Sequence, residues 1–152
     1  MARPHFDLHI TGYTHMYGLT REVMVKSLSS SLKALADETR LQMVALLLAK
    51  GELCVCDVVA ALRITQSKAS RHLRHLVNAG FLQDRKDGVW VHFRIAEAPG
   101  PVQAALIGAL AGQFGEGLSA QVEDRLAEWQ VRKAKDGVTC QQTTKKKVGG
   151  RR

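Results

Sequence analysis

The stretch TQSKASRHLRHLVNAGFLQDRKDGVWVHFRIA, Thr65 to Ala96, decides how the rest of the chain is read. Its first half has a helical period. Ala69, Leu73, Leu76 and Val77 fall on one apolar stripe, Thr65 is suited to cap the helix start and Gly80 to close its end. On the opposite face lie Ser67, Ser70, Arg71 and Arg74, with Gln66 and Lys68 at the first turn. The second half alternates instead. Val89, Val91, Phe93 and Ile95 share one side of a strand, and Trp90, His92 and Arg94 share the other. Asp87-Gly88 places a tight turn between two strands. A polar-faced helix is thus followed at once by a basic two-stranded ribbon.

Working outward, Val25, Leu28, Leu32 and Leu35 make an earlier stripe. ADETR restarts a helix with Asp37 as its cap, Leu41, Val44, Ala45 and Leu48 as its apolar face and Gly51 as its stop. ELCVCDVVAAL reads as a short third helix. After the ribbon, APGP is a linker, residues 102–114 form an apolar Ala- and Gly-rich helix, and residues 118–135 form an amphipathic helix carrying Val122, Leu126 and Trp129. The expected fold is mainly α with a β-hairpin wing (α+β): a dimeric winged helix-turn-helix. Residues 1–23, without sustained period, are expected to be a flexible arm. Residues 24–135 are expected to form the winged-helix DNA-binding and dimerisation domain, and residues 136–152 a disordered basic tail. The Val25–Leu35 and Val122–Trp129 stripes, on the first and last helices, are expected to join two copies across a two-fold axis.

Composition bounds the function. The net charge is +8, and five of those charges (Lys145, Lys146, Lys147, Arg151, Arg152) lie in the last twelve residues. The tail alone therefore says only that the chain favours polyanions. Three cysteines and no secretory signal suit a reducing cytoplasm. The longest apolar run, residues 43–49, falls far short of the roughly 20 residues that cross a bilayer. His5, His9 and His15 lack the spacing and partners of a metal site. No nucleophile–base pair, phosphate loop or pair of acids points to an enzyme.

The fourth helix suits double-stranded DNA. In a major groove Arg71 and Arg74 can fork onto guanine and Gln66 can pair with adenine. Ser67, Lys68 and Ser70 suit phosphates, and His72 lies beside the same face. Arg85 and Lys86 at the ribbon tip suit the backbone or the minor groove.

Four segments, LKALADETRLQMVALL, ELCVCDVVAAL, TQSKASRHLRHLVNAGFL and RKDGVWVHFRI, resemble in that order the ArsR/SmtB family of metal-responsive winged-helix repressors. ELCVCD is most similar to the arsenic-sensing branch. The resemblance implies a homodimer on an imperfectly palindromic operator, released when As(III) or Sb(III) binds cysteine thiolates, with no organic cofactor. It also marks departures. Many arsenic sensors have a third cysteine three residues after the second, where this chain has Val59. The helix of residues 102–114 has no Asp, Glu or His, so the interface zinc site of other relatives is missing.

Thiolates are soft ligands, and Cys54 and Cys56 supply two of the three that pyramidal As(III) favours. Cys140 is the candidate third; otherwise water, hydroxide or an exogenous thiol completes the shell. Cadmium, lead or zinc sensing, a thiol redox switch, and a DNA binder blind to any inducer remain alternatives. If both cysteines lie on a regular helix, their side chains diverge by about 200°. Holding one guest would then distort the first turn of the third helix and tilt the fourth.

Overall fold

The computed structural model describes residues 21–114 and 118–136. The elements run α1 (Arg21–Leu35), α2 (Glu38–Lys50), β1 (Glu52–Cys54), α3 (Val55–Leu62), α4 (Gln66–Asn78), β2 (Leu82–Asp87), β3 (Trp90–Ile95), α5 (Pro101–Phe114) and α6 (Ala120–Asp136). Local chemistry sets most boundaries. The Asp37 side chain accepts from the Arg40 N–H at 3.0 Å and starts α2. Gly51, at φ 80°, stops it. Thr65 accepts from the Lys68 N–H at 3.2 Å and starts α4. Pro101 opens α5, where its missing N–H is not needed.

The core is continuous from α2 through α3 and α4 to the sheet. Val44, Leu46, Leu47, Val58, Ala61, Leu73, Leu76 and Phe81 are fully or almost fully buried. On α4 the buried residues are Ala69, Leu73 and Leu76, as the helical period requires, while Val77 is half-buried.

The structure departs from the sequence expectations in four places. First, Glu52–Cys54 is a strand, paired antiparallel with β3 so that Cys54 lies opposite His92. The ribbon thereby becomes a three-stranded sheet of order β1-β3-β2. Three residues are too few for a strand period to show in sequence. Second, the register pairs Asp87 with Trp90, so Gly88 and Val89 form the two-residue turn. Gly88 alone has positive φ (57°), the arrangement of a II′ turn with glycine first. Third, α1 begins at Arg21, which places Arg21–Val23 in the helix rather than in an arm. Fourth, Val122, Leu126 and Trp129 are buried within one chain, with α6 packed on α3. The last helix therefore does not keep that stripe for a second copy. The rest of the expected arm and tail, and Cys140, lie outside the described residues.

Candidate inducer and DNA site

Cys54 and Cys56 sit where β1 turns into α3. Cys54 is still extended (φ −88°, ψ 167°), the N-cap of α3, and Cys56 is the second residue of the helix. The two do not both lie on the helix, so the 100° step from which their divergence was expected does not apply to the pair. Both are buried, at 1% and 3% exposure, in one cluster with Trp129, edged by Ala60 and Trp90. Cys54 is a free thiol, whereas Cys56 is disulfide-bonded. Among the described residues, no three His, Cys, Asp or Glu side chains converge on a metal-sized site.

Asp57 organises this junction. Its Oδ2 accepts the Cys54 N–H at 2.9 Å, half of a capping box. Its Oδ1 accepts Trp129 Nε1–H at 2.9 Å and a proton of the Lys133 ammonium at 3.1 Å. Lys133 Nζ also donates to Cys54 Sγ at 3.2 Å and lies 4.7 Å from the centre of the Trp90 ring. Burial pushes the Asp57 carboxyl up, but the Cys54 N–H and side chain and the Lys133 charge outweigh it and hold the acid below its ordinary range. Burial and the Asp57 charge push the Cys54 thiol up, against the pull of Lys133. Lys133 is held charged: its bonds to Cys54 and Asp57 outweigh its own desolvation.

The sequence places Asp57 as a charge that opposes thiolate formation, as found at Cys54, but it does not reveal Trp129 and Lys133 as its partners in this site. Trp129 and Lys133 share one helical face at i, i+4, but nothing in the sequence pairs that face with residues more than 70 positions earlier.

A crevice of about 230 Å³ opens beside Cys54 and is walled by Gln66 and Ser70 of α4 and by Val89, Trp90 and Val91 of the wing. The thiol site and the DNA-facing surface thus share a wall. A larger cleft of about 510 Å³ runs between α4 and the wing, lined by Ser70, Arg71, Arg74, His75 and Asn78.

The sequence-expected DNA residues are placed as follows. Ser67, Ser70, Arg71 and Arg74 are exposed on α4, and Gln66 and Lys68 are half-buried at its start. Arg74 is paired with Asp84 at 3.2 Å, which fixes α4 against β2. Arg85 and Lys86 are exposed on the wing, but Arg85 is held by Glu52 at 2.8 Å and Asp87 at 3.3 Å. His72 turns away from the exposed face, with Nδ1 3.8 Å from Asp37 and 3.5 Å from Arg40. Burial and the surrounding Arg40, Lys68 and Arg71 charges outweigh Asp37 and hold it below the ordinary histidine range.

An exposed basic helix, a basic wing behind it and buried thiols at their junction define a winged-helix DNA-binding regulator. Residues 37–84 match the model of the bacterial regulatory proteins of the arsR family. The arsenic resistance transcriptional regulator ArsR1 of Pseudomonas putida is 44% identical over 94 residues, 61% of this chain and 72% of that protein. The arsenical resistance operon repressor of Escherichia coli is 58% identical over 64 residues, 42% of this chain and 55% of that one. A homodimeric winged helix-turn-helix DNA-binding domain from Mycobacterium bovis, described as a possible ArsR-family regulator, superposes with a TM-score of 0.51 at 29% identity, over 68% of this chain and 94% of that one. The chain belongs to the arsR family of bacterial regulatory proteins. No described helix is long and apolar enough to cross a membrane.

Proposed function

We propose that the protein is an As(III)- or Sb(III)-responsive repressor that binds operator DNA as a homodimer and leaves it when Cys54 and Cys56 take the inducer. The observation that carries this reading is the burial of both cysteines in one cluster beside the crevice whose far wall is α4. The arsenic-resistance names of the relatives support the choice of inducer. The described residues offer two sulfurs, so a third donor comes from Cys140 or from a small exogenous ligand. Inducer binding uses Cys56 as a thiolate, so its disulfide is reduced first.

The DNA contacts in this reading are Gln66, Ser67, Lys68, Ser70, Arg71 and Arg74 on α4, with Arg85 and Lys86 on the wing. His72 acts indirectly, by holding α4 to the start of α2. The dimer forms through α1 and α5 rather than α6. Val25, Leu28 and Leu32 on α1 are 43–62% exposed, and α5, which contacts α1, has no buried residue despite its apolar sequence.

The Cys56 disulfide favours a second reading, a thiol redox switch on the same fold. Operator release measured against arsenite, antimonite, cadmium, zinc and peroxide separates the two. The comparison runs in the wild type and in Cys54→Ser, Cys56→Ser and Cys140→Ser. Release of the reduced protein by arsenite or antimonite, lost in Cys54→Ser, is expected. Release by peroxide alone selects the redox reading, and release by cadmium alone a divalent-metal sensor.

A further inference from the structure

Lys133 is half-buried, and its ammonium touches three structures at once. It donates to Cys54 Sγ at 3.2 Å and to both oxygens of Asp57, at 3.1 and 3.4 Å, and it lies 4.7 Å from the centre of the Trp90 ring. Cys54 belongs to the inducer site, Asp57 to α3, and Trp90 opens the second wing strand opposite Asp87. Trp90 also packs against the cluster of Cys54, Cys56 and Trp129, so the Lys133 ammonium sits at the joint between the thiol site and the wing.

We propose that Lys133 is the positioning residue that couples occupation of Cys54 to the wing. This rests on the reading of Cys54 as an inducer ligand. Arsenite, as As(OH)3, bonds to Cys54 in place of the thiol proton, which leaves with one hydroxide as water, and the arsenic then fills the space beside that sulfur where the Lys133 ammonium sits. Lys133 keeps Asp57, its charged acceptor, and gives up the sulfur. Its stem and head then no longer lie across Trp90, and the turn end of the wing loses the cation that holds the ring against α6. The wing and α4 are the DNA-reading surfaces, and they move relative to each other when that contact goes. No large distortion of α3 is required. The two-state element is the α6–wing contact, and guest and DNA favour its opposite states.

The reciprocal nature of coupling gives the test. Arsenite affinity of the reduced full-length protein is measured by calorimetry, free and bound to a duplex that the protein has selected from a random-sequence pool. The ratio of the two affinities is the coupling, ordinarily about 5- to 150-fold in such systems. In Lys133→Met the ratio is expected to fall to within about twofold of unity, while arsenite still binds the DNA-free protein. Lys133→Arg, which keeps the charge, the Asp57 pair and a stack on Trp90, is expected to restore most of it. Trp90→Leu breaks the same joint from the wing side and is expected to lower the ratio as well, so the test survives if Lys133→Met does not fold. A wild-type ratio in a folded Lys133→Met or Trp90→Leu protein overturns the proposal alone. Failure of the reduced wild type to bind arsenite overturns the reading of the site, and the coupling role with it.

Discussion

Cys54 owes its position to two backbone demands that meet at one residue. As the last residue of β1 it stays extended to face His92, and as the N-cap of α3 it donates its N–H to Asp57. That carboxylate is 4% exposed and serves donors from three residues, so its loss leaves Lys133, Trp129 Nε1–H and the Cys54 N–H short of an acceptor. Asp57→Asn is expected to cost about 2–3 kcal/mol in urea unfolding, as for charged hydrogen bonds left unpaired. The sign of the pH effect follows from the lowered Asp57 acidity. The stabilisation is complete above the unfolded acid's range and is lost as pH falls through the folded value, so below about pH 4. Stability curves of wild type and Asp57→Asn should converge on acidification. Curves that stay parallel would remove Asp57 from that role. On the exposed face of α4, Arg71 has no ion pair among the described residues. Arg71→Ala should therefore leave stability within about 0.5 kcal/mol. It should weaken operator binding about tenfold or more, the loss of one bidentate base contact. Unchanged affinity in a gel-shift titration would take Arg71 out of the interface.

At the scale of elements, the helices were readable because their signals are periodic and capped. Ala69, Leu73 and Leu76 share a face by spacing alone, and Asp37 and Thr65 act as the caps their side chains suggest. β1 was not readable, because its three residues are defined by pairing with β3, some 40 positions away. The same gap hid the geometry of the thiols: Cys54 and Cys56 stood out in the sequence as candidate ligands, but a helical reading set them on opposite faces, whereas Cys54 ends β1. Nor could spacing tell whether the Val122–Trp129 stripe met α3 or a second chain, since an apolar face needs only a cover. The wing offers an element-scale prediction. Gly88 holds a positive φ that a β-branched residue adopts at a cost of about 1–2 kcal/mol. Gly88→Val should lower stability by about that amount and weaken DNA binding through the wing. Lys86→Ala should leave the fold alone and reduce the salt dependence of binding by about one released ion per protomer. An unchanged salt slope would place Lys86 away from phosphate.

At the scale of the molecule, the buried core runs from Ala34 and Leu35 of α1 through α2, α3, α4 and the sheet, with α6 strapped over α3, while α1 leaves Val25, Leu28 and Leu32 exposed and α5 only half-buries Leu106, Ile107 and Leu110. Two copies meeting through α1 and α5 would cover those residues and present two α4 helices to one duplex. Leu28→Asp is expected to yield a folded monomer by sedimentation, with operator affinity sharply lowered because each half-site then binds alone. A stable dimer in that variant would place the interface elsewhere. In the proposed reading the inducer lies between the strap and the DNA-reading surface, and everything turns on which atoms hold it. X-ray absorption at the arsenic edge of the reduced, arsenite-loaded protein reads those atoms directly. Sulfur should dominate the first shell, with one sulfur lost in Cys54→Ser and one in Cys56→Ser; identical arsenic spectra in wild type and both variants would contradict the site.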